Sequence, residues 1–116
     1  MRIGLGLALL LLGTAAAWAE IRVGITASGS GPGAALGGPQ LKAVATLPKT
    51  IGGETVTYIA FDDESDATKA VVNARKLIVD NKVDVLLGSS LTPVSIPLIE
   101  IAAEHKVPLL TMAASS

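Results

Sequence analysis

Small and hydroxyl residues follow two apolar stretches of this sequence that read as buried strands. Residues 83–87 run into residues 88–92 (Gly-Ser-Ser-Leu-Thr), and residues 107–110 run into residues 111–116 (Thr-Met-Ala-Ala-Ser-Ser). A helix amino terminus flanked by serine and threonine suits a carboxylate, because unpaired amides and the helix dipole favour an anion. Carbonyl oxygens and a hydroxyl at a strand end can accept hydrogen bonds from an ammonium group. Together the two segments suit the charged ends of an amino acid, although helix capping or an ordinary loop would explain either one alone.

The residues between these strands predict a helix, and this helix decides where the two segments lie. The connection is short enough for a right-handed strand-helix-strand crossover, which makes the two strands parallel. Parallel strands end at the same edge of a sheet, and open α/β sheets bind ligands at the carboxyl ends of their strands. We therefore expect the two hydroxyl-rich segments to meet at one ligand-binding edge.

The whole pattern predicts an α/β fold with a doubly wound parallel sheet and the element order β-α-β-α-β-α-β. Residues 21–26 and 54–61 predict the first two strands. Residues 28–38 are dense in glycine and proline and predict a loop. A weak helix is predicted at residues 40–47, and Gly52-Gly53 predicts a turn.

Two further helices are predicted after the second and third strands. The first is capped by Ser65 or Asp66, and its apolar residues between 67 and 78 follow the three-four spacing of one helical face. The second is capped by Thr92 and has Pro93 in its first turn, where a missing N–H costs little. The residues predicted to form its buried face are Ile96, Ile99, Ala102 and Ala103.

The amino-terminal residues 1–19 carry the three-part pattern of a secretory signal peptide. Met1-Arg2 is a basic start, residues 3–12 are apolar, and Ala17-Trp18-Ala19 is a small-x-small cleavage site. The uncharged part is short for a membrane span, which needs about 20 apolar residues. We therefore expect cleavage after Ala19 and no stable membrane insertion of the mature residues 20–116. The sequence has no cysteine, which excludes a lipoprotein and a disulfide scaffold.

Charge and aromatic content limit the partners of the chain. Nine basic and ten acidic residues are present, and the basic ones are scattered along the sequence. A nucleic-acid surface needs basic residues massed on one face, so we expect no nucleic-acid partner. After residue 19 the only aromatic residues are Tyr58 and Phe61, so we expect no base-stacking platform.

A glycine-rich loop offers an enzymatic alternative. Residues 29–34 fit the pattern G-x-G-x-x-A after a strand, as in dinucleotide-binding folds, with Asp62 or Asp63 as the ribose ligand. Pro32 removes one amide donor from that loop, and Asp62 lies further downstream than the usual spacing of about 20 residues. The pattern therefore fits a dinucleotide site poorly.

The ionisable residues favour structural roles over metal binding or catalysis. The acidic residues 62–66 lack the spacing of a calcium loop and are expected to end a strand and stabilise the next helix. His105, the only histidine, is expected near a helix carboxyl end, where its charge suits the dipole. We predict no metal and no cofactor, and a hydrolase whose other residues lie elsewhere stays an open alternative.

Several segments, taken in order, resemble the periplasmic substrate-binding proteins of branched-chain amino acid ABC transporters, which have a type I periplasmic-binding fold. The matching segments are residues 21–25 (Ile-Arg-Val-Gly-Ile), 30–32 (Ser-Gly-Pro) with Gly37, 62–66 (Asp-Asp-Glu-Ser-Asp), 69–77, 80–88 and 107–110 (Val-Pro-Leu-Leu). The resemblance covers nearly all of the mature chain. It implies that residues 20–116 form the first part of lobe 1 of a two-lobed protein.

The resemblance also implies a set of binding residues. In this family the first lobe holds the carboxylate and the ammonium group of an amino acid through backbone and hydroxyl groups after the third and fourth strands. By position, the residues after the third strand are Ser90, Leu91 and Thr92, and those after the fourth are Ala113, Ala114 and Ser115. Leu36 stands where some relatives have a tyrosine over the ligand, so the resemblance does not fix the ligand.

The function implied by the resemblance is that of a soluble, non-enzymatic solute-binding protein of the periplasm. It would capture an amino acid of the branched-chain type, or a similar small carboxylate, and deliver it to the membrane subunits of an ABC permease. A second lobe closes over the ligand in such proteins, so we expect the present segment alone to bind weakly. The alternatives are a sensory ligand-binding module of the same fold and, further away, a nucleotide-binding or hydrolytic enzyme domain.

Overall fold

The structure, a computed structural model, describes residues 19–114. Ser115 and all but the last residue of the predicted signal peptide lie outside the described residues. Within this range there are three α-helices, named in chain order: α1 Ala34–Ala43, α2 Ala67–Arg75 and α3 Thr92–Glu104. The strands are β1 Glu20–Ala27, β2 Thr50–Ile51, β3 Glu54–Asp62, β4 Val85–Leu87 and β5 Leu109–Leu110.

The five strands form one sheet in the order β2-β3-β1-β4-β5. β1 runs parallel to β3 and β4, and β4 runs parallel to β5, so the predicted parallel α/β sheet is confirmed. The short strand β2 pairs antiparallel with β3 across the predicted Gly52-Gly53 turn. We did not predict β2, because two residues are too few to show strand periodicity.

Helices cover both faces of the sheet, as a parallel sheet requires. On one face, the β1 residues Val23, Ile25 and Ala27 pack with Leu41 of α1. On the other face, α2 and α3 pack together and contribute most of a larger apolar cluster. Its fully buried members include Ala70, Ala74, Leu77, Leu86 and Leu98. The predicted apolar face of α2 is therefore confirmed, and a π-helical segment, Lys76–Asp80, extends that helix.

Helix α1 begins at Ala34, six residues before the predicted start, so the prediction of a loop over all of residues 28–38 is wrong. A 3₁₀ turn with Pro32 leads into the helix, where the fixed φ of proline suits the first helical turn. Gly37 is buried inside the helix, and a Cβ built there would lie 2.0 Å from the carbonyl oxygen of Ser28. This glycine permits close helix packing rather than breaking the helix.

Helix α3 presents a different face to the core from the one predicted. Ile96 and Ile99 are 58% and 59% exposed, and Ala103 is exposed as well. The residues that the helix buries are Val94, Ser95, Leu98, Ile101 and Ala102. The prediction was wrong, except for Ala102, because this helix is apolar on nearly all sides. Ile96 and Ile99 instead line a groove of about 320 Å³ beside Leu109.

Two predicted caps have different outcomes. Asp66 caps α2 as predicted, with its Oδ1 accepting from Lys69 N at 3.0 Å. Thr92 does not cap α3, because it is already the first helical residue and Leu91 holds the cap position without a side-chain hydrogen bond. His105 follows the last turn of α3, as expected.

Asp62 fastens the loop between β1 and α1 to the end of β3. Its Oδ1 accepts from Gly29 N at 2.9 Å and from Glu64 N at 2.8 Å, and its Oδ2 accepts from Ser30 Oγ at 2.8 Å. Desolvation by burial acts to raise the pKa of Asp62, but these hydrogen bonds together outweigh it and leave that pKa lowered. The charged carboxylate therefore stabilises the loop.

The close contact between α1 and Ser28 predicts that Gly37→Ala lowers the free energy of unfolding by about 1 to 3 kcal/mol, as overpacking does. The contact atom is backbone, so the helix itself must shift. Urea unfolding followed by circular dichroism measures the change. Gly38→Ala is the matched control, because nothing lies within 4 Å of its Cβ position, and it should stabilise α1 by about 0.5 to 1 kcal/mol. Equal effects of the two substitutions would contradict the packing described.

The lowered pKa of Asp62 predicts a stability that depends on pH. In the unfolded chain the pKa of Asp62 has its ordinary value of 3.8, so the contribution of Asp62 to stability is complete above that pH. It is lost as the pH falls through the lower pKa of the folded state. The difference in free energy of unfolding between the wild type and Asp62→Asn, followed by urea titration at a series of acidic pH values, should therefore shrink on acidification. A difference that stays constant or grows would show that the carboxylate is not the stabilising group.

Candidate functional site

The two hydroxyl-rich segments meet at the carboxyl edge of the sheet. Leu87 and Leu110 are partners in the register of β4 and β5, so the segments that follow them start side by side. The hydroxyl of Thr92 donates to the carbonyl oxygen of Ala114 at 3.3 Å and joins the two segments directly. The prediction that both lie at one edge is confirmed.

The hydroxyl of Ser90 is buried and already has partners inside the protein. Ser90 is 2% exposed, and its Oγ accepts from Ser28 N at 2.9 Å and donates to Gln40 Oε1 at 2.5 Å. Ser89 is also buried, and its N–H donates to Ser95 Oγ at 2.7 Å. At the predicted site, Ser90 can therefore offer its backbone but not a free hydroxyl.

The start of α3 presents open backbone donors. Among residues 19–114, no protein acceptor is found for the N–H groups of Leu91 and Thr92. The next residue, Pro93, has no N–H. Ser95 Oγ donates back to Leu91 O at 2.8 Å and fixes the turn from which the two N–H groups project. A helix amino terminus of this kind, with the Thr92 hydroxyl beside it, suits an anionic group.

The segment after β5 offers acceptors. Ala113 N donates to Thr111 Oγ1 at 3.1 Å, a hydrogen bond within the segment. Ala113 is half-buried, and Ala114 is exposed, with its carbonyl oxygen held only by the Thr92 hydroxyl among the described residues. Ser115, the remaining predicted residue of this segment, lies beyond the part that the structure describes.

Leu36 lies on α1 and is 52% exposed. The residue just before that helix lies close to the site, because a Cβ built on Gly33 would be 3.0 Å from Leu91 Cδ1. The structure thus places α1 against the segment after β4, but it gives no direct contact between Leu36 and the other predicted residues.

The glycine-rich loop is not open to a nucleotide phosphate. Gly29 N donates to Asp62, and Gly33 N donates to Ser65 Oγ at 2.9 Å. The Ser65 hydroxyl in turn donates to Ser30 O at 2.7 Å. Two amides that would have to cradle a phosphate are therefore satisfied within the protein, one of them by a carboxylate that would repel an anion.

Sequence reasoning missed the role of Asp63, which was expected only to end a strand. The residue is fully buried, and its carboxylate accepts from Thr26 Oγ1, Ser28 Oγ, Ser89 Oγ and Ser65 N. One signal was available: Thr26 and Ser28 interrupt the apolar pattern at alternate positions where β1 ends. Two polar residues that share one face of a buried strand end indicate a buried polar partner.

Metal-binding and membrane-spanning features are absent from the described residues. No three His, Cys, Asp or Glu side chains between residues 19 and 114 are grouped so that they could hold a metal ion. Within the same range, every helix is too short or too polar to cross a bilayer.

A family model described as "Periplasmic binding protein" matches residues 20–116. A comparison with functionally curated protein sequences found no match. An extracellular ligand-binding receptor from Rhodopseudomonas palustris HaA2 is 72% identical, with a TM-score of 0.82, over 84% of this chain and 27% of that one.

Two more distant solved structures extend the comparison. One is a solute binding protein of an ABC transporter from Rhodopseudomonas palustris BisB5, in complex with 3,4-dihydroxy benzoic acid. It is 28% identical, with a TM-score of 0.75, over 84% of this chain and 28% of that one. The other is the leucine binding protein LivK from Thermotoga maritima MSB8, which is 27% identical, with a TM-score of 0.70, over 83% of this chain and 28% of that one.

The chain spans a little over a quarter of the length of these proteins. Its sheet is part of a type I periplasmic-binding fold, which confirms the resemblance seen in the sequence. The family consists of solute-binding proteins rather than enzymes. By its sequence match and its fold, the chain belongs to the periplasmic binding protein family.

Proposed function

We propose that this chain supplies the first-lobe half of a binding site for an amino acid of the branched-chain type or a similar small carboxylate. The solute-binding role comes from the family. The observation that carries the finer proposal is the hydrogen bond between Thr92 Oγ1 and Ala114 O. It brings a group of anion-binding donors and a group of carbonyl acceptors to one point on the sheet edge.

The carboxylate of the solute would bind at the start of α3. The N–H groups of Leu91 and Thr92 and the positive end of the helix dipole supply the attraction. Ser90 contributes through its backbone, because its hydroxyl is held by Ser28 and Gln40. The hydrogen bond from Thr92 Oγ1 to Ala114 O is long, at 3.3 Å. The Thr92 hydroxyl can therefore turn away from Ala114 O and donate to the carboxylate of the solute instead.

The ammonium group of an amino acid would bind at the segment after β5. Once the Thr92 hydroxyl turns to the carboxylate, the carbonyl oxygen of Ala114 is free to accept from the ammonium group. Ala113 and the hydroxyl of Ser115 complete this set in the proposal, by resemblance to the family. Leu36 on α1 is proposed to border the apolar part of the ligand.

The ligands named for the relatives support the carboxylate half of this proposal. The Rhodopseudomonas palustris BisB5 protein was solved with 3,4-dihydroxy benzoic acid, and the Thermotoga maritima protein is a leucine binding protein. Both small molecules carry a carboxylate, and only leucine carries an ammonium group. The segment after β5 is therefore the part of the site that would separate the two ligand classes.

The cellular role follows from the same proposal. Residues 1–19 would act as a signal peptide, and residues 20–116 would begin a lobe of a periplasmic protein that delivers its ligand to ABC permease subunits. The family match begins at residue 20, which supports this division of the chain. Closure of a second lobe would supply the rest of the binding energy.

A titration of the ¹⁵N-labelled chain with small probes tests the two halves of the site separately. We expect L-leucine to bind weakly, in about the millimolar range, and to shift the amide signals of Leu91, Thr92, Ala113 and Ala114. Isovalerate, which lacks the ammonium group, and 3,4-dihydroxybenzoate should shift only Leu91 and Thr92. The amides of Gly52 and Gly53, at the other end of the sheet, are the internal control. Shifts confined to that turn, or no shifts at all, would contradict the proposal.

Removal of the Thr92 hydroxyl should weaken binding selectively. Thr92→Val keeps the shape of the side chain but loses the hydrogen bond to the carboxylate, so the dissociation constant for L-leucine should rise about tenfold. Thr68→Val is the matched control, because Thr68 is exposed on α2 and should leave the affinity unchanged. An equal effect of the two variants would remove Thr92 from the site.

A further inference from the structure

A buried carboxylate lies beneath the proposed site. Asp63 has no exposed surface, and its Oδ2 accepts from Ser89 Oγ at 2.6 Å and from Thr26 Oγ1 at 3.0 Å. Its Oδ1 accepts from Ser28 Oγ at 2.7 Å and from Ser65 N at 3.1 Å. These four donors come from the ends of β1 and β4 and from the loop after β3. One side chain thus ties together three adjacent strand ends.

The carboxylate also fixes the direction of these hydrogen bonds. An ionised carboxylate only accepts, so each of the three hydroxyls must aim its hydrogen at Asp63. Thr26 Oγ1 accepts in turn from Asn73 Nδ2 at 3.3 Å, so its position is set from both sides. The hydroxyl of Ser89 is committed in the same way and has no hydrogen left for a ligand.

Two short chains of hydrogen bonds connect Asp63 to the donors of the proposed site. Ser89, held by Asp63, donates its N–H to Ser95 Oγ, which donates to Leu91 O. Ser28, also held by Asp63, donates its N–H to Ser90 Oγ. Ser89 and Ser90, which precede Leu91, are therefore both held by hydrogen bonds that lead back to Asp63.

On the basis of the proposed function, we propose that Asp63 is a positioning residue of the binding site. Its carboxylate holds Ser89 and Ser28, and through them it sets the backbone N–H groups of Leu91 and Thr92 in the geometry that a carboxylate ligand needs. The three hydroxyl residues between positions 88 and 92 then have two different roles. Ser89 and Ser90 position the segment with their hydroxyls, and Thr92 is the residue of this segment that offers its hydroxyl to the ligand.

The substitution Asp63→Asn tests this role. The amide cannot accept from all three hydroxyls, so at least one of them is left without an acceptor and the segment after β4 loosens. We expect the dissociation constant for L-leucine, read from the amide shifts of Leu91 and Thr92, to rise at least about tenfold. Asp66→Asn is the matched control, because asparagine also caps helices well, and its affinity should stay within about twofold of the wild type. A folded Asp63→Asn chain that binds as tightly as the wild type overturns the proposal.

A second variant keeps the proposal testable if Asp63→Asn fails to fold or if L-leucine does not bind to the wild type. Ser89→Ala removes the direct hydrogen bond between the carboxylate and the segment after β4, and leaves only the chain through Ser28. Without any ligand, the N–H groups of Ser28 and Ser95 should then exchange with solvent at least about tenfold faster, while that of Val56, bonded to Lys49 O, is unchanged. Unchanged exchange at Ser28 and Ser95 overturns the positioning role. A wild-type chain that binds no L-leucine contradicts the proposed function alone, and the exchange rates still decide the role of Asp63.

Discussion

The carboxyl edge of this sheet depends on the hydrogen bonds that the buried carboxylate of Asp63 accepts. An ionised group without contact to solvent is costly unless donors surround it, and here three hydroxyls and one backbone N–H do so. These donors must come from β1, β4 and the loop after β3, so the three strand ends can lie in only a narrow range of positions. The edge at which a solute would bind is thereby built before any solute arrives.

Close backbone contacts bring the elements into this range. Gly37 lets α1 lie directly on the carbonyl of Ser28, and Gly88 lets the end of β4 lie against the carbonyl of Thr26, where a Cβ would be 2.5 Å away. Ser28 and Thr26, the residues contacted, both donate hydrogen bonds to Asp63. Gln40 of α1 then reaches Ser90. Helix α1, although it follows the first strand, thus helps to hold the segment after the third parallel strand.

Those features that depend on local pattern could be predicted from the sequence. Strand alternation, the helical spacing of α2 and the Asp66 cap were each visible within a few residues, and short crossovers then required parallel strands. Parallel strands end at the same edge of the sheet, so residues 88–92 could be predicted to lie beside residues 111–114. The hydrogen bond between Thr92 and Ala114 confirms this prediction. The positions of the family's binding residues were a further step, taken by resemblance.

The features that were missed depend on contacts between distant residues. Gly37 has the local signal of a loop residue, and only its contact with Ser28 shows why a helix needs glycine there. The buried face of α3 could not be chosen from a helix that is apolar on nearly all sides. Asp63 and Asp62 are chemically identical neighbours, yet one is buried among hydroxyls and the other fastens a loop. No spacing rule separates them, because the difference lies in what the other strands bring to each side chain.

The proposed site depends above all on the binding of a carboxylate to the backbone N–H groups of Leu91 and Thr92. Residues 20–116 can be grafted in place of the equivalent segment of the Rhodopseudomonas palustris HaA2 receptor, because the two are 72% identical. A crystal structure of this chimera with L-leucine would show where the carboxylate binds. We expect a carboxylate oxygen within about 3 Å of both nitrogens and of Thr92 Oγ1, with the hydrogen bond from Thr92 to Ala114 broken. Leucine bound with its carboxylate elsewhere, and with that bond intact, would contradict the proposed site.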